Sequence, residues 1–247
     1  MRVAASIVAA AFTLALGGAA QAQLACGPFT AAKLDPPAPR SETWAVQIGE
    51  RVNQAIKTQP YRVLFLGDSI TQRWDYPLWD AKPVWDANMP QRGVLNAGVS
   101  GDRTEHLLWR LDHGNLAGLP PKAAIVLIGT NDLAHGRPAE LAAEGIRAVL
   151  IRLRQKLPDT RILLLGLWPR GATPDDPLRQ AVGAVNNRIK SCADGHITYA
   201  DIGGVLLDKK GVLSTKLSPD LLHFSGAGYK LLAPKLDRLI DQLLAAP

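Results

Sequence analysis

Residues 62–71 read RVLFLGDSIT, an apolar run that ends in a Gly-Asp-Ser turn. The segment Arg62–Leu66 is apolar almost throughout and does not alternate with polar residues. This pattern is typical of a strand that is covered on both faces, as in a parallel sheet. Ser69 follows where the strand must turn into a helix, so we expect its hydroxyl to point off the edge of the sheet.

Four further runs have the same β-prone character, and helical segments lie between them. A first helix is predicted at about Glu42–Lys57, where apolar residues recur at helical spacing. Regular alternation of strand and helix predicts a three-layer α/β/α sandwich, flavodoxin-like, with a mostly parallel five-stranded sheet and right-handed crossovers. The further predicted strands are Gly93–Asn96, Ala123–Ile128, Arg161–Leu167 and His196–Ala200.

The N-terminus has the organisation of a secretory signal peptide. Arg2 is followed by an apolar stretch to Leu16 and by small residues that end in Ala20-Gln21-Ala22, which predicts cleavage after Ala22. Residues 1–22 are therefore assigned to the signal, 23–41 to an extended, proline-containing segment, and 42–247 to one α/β domain. An uncleaved anchor is the alternative, although the apolar stretch is shorter than the ~20 residues that a spanning helix needs.

Composition and charge exclude some classes of protein. The chain is 47% hydrophobic and 20% charged, which is ordinary for a globular protein. Its formal charge of +6 is spread along the sequence, without the basic run that a nucleic-acid-binding face needs. We therefore expect no nucleic-acid partner, and no integral membrane span once the signal is removed. The sequence does not specify an oligomeric state.

The two cysteines, Cys26 and Cys192, allow two interpretations. In an oxidising compartment they can pair and attach the mature N-terminus to the domain. Two buried free thiols are the alternative. Neither cysteine lies in a spacing that is typical of a metal site, and we expect no metal or organic cofactor.

Polar loops follow the first three predicted strands, and each loop has a plain structural alternative. The first contains Ser69, which can act as a nucleophile or cap a helix. The second, Asn96–Thr104, contains Gly101, whose N–H can face a ligand or belong to an ordinary turn. The third contains Asn131, whose amide can stabilise an oxyanion or cap the next helix.

Asp220 and His223 lie three residues apart, just before the last predicted helix. A carboxylate at that spacing can hold the imidazole in one tautomer, leaving the other nitrogen for a serine. Because loops at the carboxyl ends of parallel strands meet at one edge of the sheet, we expect this pair to lie near Ser69. Together these residues contain all the groups that acyl transfer requires.

The four blocks Gly67–Ser69, Asn96–Asp102, Gly129–Asp132 and Asp220–His223 resemble, in type and order, those of SGNH (GDSL-like) hydrolases. Segments 95–111 and 165–171 are similar to the catalytic subunits of platelet-activating-factor acetylhydrolase. That branch has two glycines where this chain has Ser100-Gly101, a difference that bears on the shape of the acyl pocket. The resemblance implies Ser69 as nucleophile, His223 as general base, Asp220 as its orienting partner, and an oxyanion hole made of Ser69, Gly101 and Asn131.

The resemblance further implies a secreted or periplasmic serine esterase that acts on short-chain esters, with acetyl esters and acetylated carbohydrates as expected substrates. A lysophospholipase or thioesterase with the same triad is one alternative, and a catalytically silent carbohydrate-binding protein of the cell envelope is another. Tryptophan rings near the site can stack on a sugar or pack in the core. They are Trp74, Trp79, Trp85 and Trp109.

Overall fold

The computed structural model describes residues 24–245. Five parallel strands form one sheet in the order β2-β1-β3-β4-β5, which confirms the predicted α/β fold. The strands are β1 (Val63–Gly67), β2 (Val94–Gly98), β3 (Ala123–Leu127), β4 (Arg161–Leu165) and β5 (Ile197–Ala200). The helices are α1 (Thr43–Thr58), α2 (Ser69–Gln72), α3 (Lys82–Asn88), α4 (Thr104–Asp112), α5 (Thr130–Ala134), α6 (Ala139–Lys156), α7 (Pro177–Ile189) and α8 (Gly226–Ala245).

Helices cover the sheet on both faces. As a consequence, every residue of the central strands β1 and β3 is buried. Helix α6 packs between α4 and α7 and contacts both of them. Helix α8 packs against β3 and β4, with α3 beside it. The continuous apolar runs in the sequence thus correspond to strands without a solvent-facing side.

Strand β4 is shorter than the sequence predicts. The backbone of Leu167, its last predicted residue, pairs with the side chain of Asn186 and not with a neighbouring strand. The amide of Asn186 accepts a hydrogen bond from the Leu167 N–H at 2.7 Å and donates one to the Leu167 carbonyl at 2.9 Å. The backbone is satisfied, so pairing with β5 is not needed there. Strand β4 consequently ends at Leu165 rather than at Leu167.

An N-terminal strap, residues 24–41, crosses the domain without regular secondary structure. Its Cys26 forms a disulfide with Cys192, so of the two interpretations of the cysteines the bridge is the one observed. Further along, the Phe29 N–H donates to Glu144 at 2.8 Å. The predicted signal peptide lies outside the described residues and stays a prediction. Between residues 24 and 245, none of the helices is long and apolar enough to cross a membrane.

Candidate active site

Ser69 is held at the turn between β1 and α2. Asp68 is the N-cap of α2 and accepts a hydrogen bond from the Ile70 N–H at 2.9 Å. Because Asp68 caps the helix, the Ser69 hydroxyl is free for another partner. The close approach of α2 to the end of β2 depends on Gly98, where a Cβ would collide with the backbone nitrogen of Gln72.

The Ser69 hydroxyl meets the imidazole of His223, which lies 154 residues further along the chain. Ser69 Oγ is 2.9 Å from His223 Nε2, and His223 Nδ1 is 2.6 Å from Asp220 Oδ2. Ser69 is only 5% exposed, whereas half of the Asp220 side chain is open to solvent. The structure thus brings together the three side chains that the sequence singled out, in a continuous hydrogen-bonded line.

The loop that carries Asp220 and His223 contains a strained residue. Leu221 has φ of +57°, the one positive φ outside glycine in residues 24–245. Such a conformation costs on the order of 1–2 kcal/mol for an L-residue. The loop is held by Gly171, whose N–H donates to the Leu221 carbonyl at 2.9 Å. A hydrogen bond from the His223 N–H to Asp220 Oδ1 at 2.7 Å closes the turn.

The imidazole is surrounded by charges of both signs. Burial lowers the pKa of His223, and the cations of Arg73 and Arg170 lower it further, against the opposing effect of Asp220. The net direction is downward, so His223 stays neutral and basic further into acid than a free histidine. Burial acts to raise the pKa of Asp220, but its hydrogen bonds with His223 outweigh this, and the net shift is downward.

Three hydrogen-bond donors are candidates for an oxyanion hole. The N–H groups of Ser69 and Gly101 donate to no acceptor among residues 24–245, and Gly101 has φ of +76°. Asn131 is 9% exposed. Its amide donates one hydrogen to the Asp102 carbonyl at 2.9 Å, which leaves the second hydrogen available. Asn131 does not cap α5, since no side chain caps that helix.

Two buried ion-pair networks beneath the site were not anticipated from the sequence. In the first, Arg110 donates to Asp102 at 2.7 Å, to the Gly67 carbonyl at 3.2 Å and to the Ala97 carbonyl at 3.0 Å. Arg110 therefore ties together the carboxyl ends of β1 and β2. A charged residue on the buried face of an amphipathic helix was the available sequence signal.

In the second network, Asp132 accepts from the Thr104 hydroxyl and from Arg137, both at 2.7 Å. This joins the start of α4 to the loop that carries Asn131. Among residues 24–245 no cation is in hydrogen-bond contact with the carboxyl group of Asp68, and burial raises its pKa to about 7. These acidic residues of the sequence motifs therefore organise the loops rather than face the serine.

The four tryptophans singled out from the sequence lie in three different settings. Trp74 and Trp85 are buried and lie edge-to-face, so they are core residues. Trp79 is 39% exposed, and the Arg73 guanidinium lies 3.8 Å from the centre of its ring. Trp79 and His223 both line a cleft of about 320 Å³. Trp109 stacks on His113 and lines a different cavity.

Known proteins match this chain in both sequence and fold. It is 37% identical over 184 residues to platelet-activating factor acetylhydrolase IB subunit alpha2 of Rattus norvegicus, which covers 74% of this chain and 77% of that protein. It is 34% identical over 191 residues to the human alpha1 subunit, covering 76% of this chain and 79% of that protein.

Two solved structures share the fold. An acetylxylan esterase from Geobacillus stearothermophilus superposes with a TM-score of 0.57 at 22% identity, covering 75% of this chain and 95% of that one. A GDSL-like lipase from Bacteroides thetaiotaomicron gives a TM-score of 0.65 at 19% identity, covering 80% and 97%.

The model of the GDSL-like lipase/acylhydrolase family matches residues 65–231, a range that contains every side chain of the site described above. The chain therefore belongs to the GDSL-like lipase/acylhydrolase family and is an ester-hydrolysing enzyme.

Proposed function

We propose that this protein is a secreted serine esterase that hydrolyses short-chain esters, acetyl esters in particular, through a Ser69–His223–Asp220 triad. The observation that carries the proposal is the 2.9 Å contact between Ser69 Oγ and His223 Nε2. An imidazole so placed, with its other nitrogen on a carboxylate, is the arrangement that activates a serine for acyl transfer.

In the proposed reaction, Ser69 Oγ attacks the ester carbonyl carbon as His223 Nε2 accepts the hydroxyl proton. The negative oxygen of the tetrahedral intermediate accepts hydrogen bonds from the N–H groups of Ser69 and Gly101 and from the Asn131 amide. Its collapse breaks the bond to the alcohol, which leaves with the proton from His223. Water, deprotonated by the same imidazole, then hydrolyses the acyl enzyme.

The test of this mechanism compares Ser69→Ala with Ser191→Ala, a change of an exposed serine on the short helix before β5. With p-nitrophenyl acetate as substrate, Ser69→Ala is expected to leave only background hydrolysis, while Ser191→Ala keeps the wild-type rate. A fluorophosphonate probe should label the wild type at Ser69, as read by peptide mass spectrometry. Undiminished turnover by Ser69→Ala would overturn the proposal, and absence of labelling would favour a catalytically silent binding protein.

The preference for acetyl esters is supported by the names of similar proteins. Curated proteins 34–37% identical to this chain are named as acetylhydrolase subunits, and a structural neighbour is an acetylxylan esterase. A substrate panel of acetyl, octanoyl and thioester compounds tests it. We expect the highest kcat/KM for acetyl esters. Faster turnover of octanoyl esters would indicate a lysophospholipase, and faster turnover of thioesters a thioesterase.

Trp79 supports an acetylated carbohydrate as the substrate. Its ring is partly exposed in the cleft that His223 also lines, with Arg73 covering part of it, and exposed aromatic faces can stack on sugars. Trp79→Ala is expected to raise KM for an acetylated oligosaccharide while leaving p-nitrophenyl acetate turnover unchanged. Trp109→Ala, outside this cleft, is the matched control. An equal KM in wild type and Trp79→Ala would argue against a sugar platform at this ring.

Secretion is supported by the disulfide, since such bridges persist in oxidising compartments. The expected mature protein begins at Gln23, which mass spectrometry of the exported chain would establish. A chain that is exported but still carries residues 1–22 would instead support an uncleaved anchor.

A further inference from the structure

Arg40, in the N-terminal strap, lies directly over the loop that presents Gly101. A Cβ built on Gly101 would be 2.7 Å from Arg40 Nη1. The Arg40 side chain is only 11% exposed. Its position depends on the strap, which reaches this loop after passing Glu105, where the Ala38 N–H donates to the backbone carbonyl at 3.3 Å.

The contact that matters is between Arg40 Nη1 and the Ser100 carbonyl oxygen, at 2.8 Å. The Ser100 carbonyl and the Gly101 N–H belong to the same planar peptide unit. A donor fixed on the carbonyl therefore sets the direction of the N–H at the opposite end. It also polarises the amide, because hydrogen bonds in series strengthen one another.

The same peptide segment is held from a second direction. The Ser100 N–H donates to Gln72 Oε1 at 2.6 Å, which ties the loop to the end of α2. Gly101 has a positive φ, a conformation in which glycine offers little resistance to rotation of the peptide plane. The Asp102 N–H donates to the Val99 carbonyl at 3.1 Å and closes the turn around this peptide, so the Arg40 contact adds a constraint on the peptide carbonyl from outside the turn.

Arg40 is itself fixed by carboxylates. Its guanidinium is bound bidentately by Glu42, with Nε 3.0 Å and Nη2 2.7 Å from the two oxygens. Asp102 Oδ1 lies 3.5 Å from Nη1. The positive charge is therefore largely compensated, and the influence of Arg40 on the site acts through the hydrogen bond to Ser100.

We propose that Arg40 is a positioning residue that orients and polarises the Ser100–Gly101 peptide, so that the Gly101 N–H is aimed at the developing oxyanion. This inference rests on the proposed esterase mechanism. It assigns a catalytic consequence to the N-terminal strap, a part of the chain that precedes the residues matched by the family model. Arg40 contacts no reacting atom, and it acts through Gly101.

The test uses Arg40→Met, which keeps the approximate length of the side chain and removes its donors, and Arg40→Lys, which restores a positively charged donor group. Complete loss of an oxyanion donor lowers kcat by about 10²–10³. Misorientation of one donor should therefore lower kcat of Arg40→Met for p-nitrophenyl acetate by about 10- to 100-fold, with KM changed less than about twofold. Arg40→Lys should recover part of this loss.

The matched control is Asp35→Asn, which removes the ion pair between the strap and Arg137 but leaves Arg40 intact. It is expected to keep the wild-type kcat. A loss of kcat could come from a misoriented Gly101 N–H or from a loosened strap. Thermal unfolding of all three variants separates these explanations, because a loosened strap would lower Tm and would also lower kcat in Asp35→Asn.

A folded Arg40→Met enzyme with wild-type kcat overturns the inference, as does a loss confined to KM. If Arg40→Met fails to fold, Arg40→Leu, which also lacks donors, takes its place, and a stable Arg40→Leu enzyme with neither a kcat loss nor a weakened affinity for a boronic-acid mimic of the tetrahedral state also refutes the inference. Failure of the esterase mechanism is distinguishable, because it would appear as undiminished turnover in Ser69→Ala.

Discussion

The disulfide Cys26–Cys192 closes a loop of 166 residues, and its removal provides a quantitative test of what holds the strap. Loop-closure entropy for a loop of this length corresponds to about 5 kcal/mol at 25 °C. Measured losses on removing native bridges are about 2–5 kcal/mol, so this figure is the upper end. We predict that the free energy of unfolding of the double variant Cys26→Ala/Cys192→Ala is about 2–5 kcal/mol lower than that of the wild type.

Urea unfolding of the purified mature protein, followed by circular dichroism, measures the loss. With a slope of about 3 kcal/mol/M, a loss of about 2–5 kcal/mol lowers the urea midpoint of the double variant by about 0.7–1.7 M. Both cysteines are replaced together, because a single replacement would leave a thiol free to react. The wild type measured in reducing agent should match the variant, whereas the variant itself should not respond to the reductant.

An unchanged midpoint would refute the reasoning that the bridge restricts the unfolded chain. A thiol titration of the unfolded, unreduced wild type provides an independent check. Two titratable thiols in that experiment would mean that the bridge is not formed. In the absence of urea the folded double variant should remain active, because the strap keeps its contacts at Phe29 and Arg40.

Three further perturbations address the site. Asn131→Ala should lower kcat for p-nitrophenyl acetate by about 10²–10³, the usual effect of losing an oxyanion donor, with an unchanged circular dichroism spectrum; near-full turnover would remove Asn131 from the hole. In the wild type, kcat/KM should fall in acid as His223 is protonated, at a pH below the ordinary histidine value of ~6.5 because burial and neighbouring cations lower its pKa. Arg73→Met removes one of those cations and should move the acid limb to higher pH, so a limb that stays in place or moves to lower pH contradicts the assignment. Finally, burial raises the pKa of Asp68 to about 7, above its unfolded value of ~3.9. The folded protein therefore binds the extra proton between these values, and the contribution of Asp68 to stability declines as pH rises from about 4 to 7. Asp68→Asn, which keeps an oxygen for the Ile70 N–H, should gain in Tm relative to wild type as pH rises from 5 to 8, and a pH-independent difference in Tm would show that Asp68 does not titrate there.

Buried arginines around the site show why the contacts that hold its loops could not be predicted from the sequence. Arg110 and Arg40 resemble the many solvated arginines of this basic chain, yet both side chains are largely buried. Arg110 binds carbonyls at the ends of β1 and β2, and Arg40 binds the Ser100 carbonyl. For Arg110 the one sequence signal was its place on the apolar face of a helix, and nothing in the sequence marks Arg40, which lies in a strap without periodicity. Their positions depend on contacts between segments far apart in the chain, such as Arg40 with Ser100.

The tryptophans make the same point for aromatic residues. Trp74, Trp79 and Trp85 lie within twelve positions of one another, and the sequence does not distinguish core packing from exposure. In the structure only Trp79 of these three is partly exposed in the cleft beside His223. Whether each tryptophan is buried or exposed depends on which face of its short segment packs against the sheet and α8.

By itself the sequence determined the parallel α/β fold, because apolar runs such as Arg62–Leu66 are typical of strands covered on both faces and alternate regularly with helical segments. It also indicated which loops would converge, since the carboxyl ends of parallel strands share one edge. Tertiary structure alone decided that Ser69 Oγ meets His223 Nε2, that Cys26 pairs with Cys192, and that Arg40 binds the peptide before Gly101. Each of these contacts joins residues at least 60 positions apart in the chain. Local periodicity and residue type do not specify such long-range contacts.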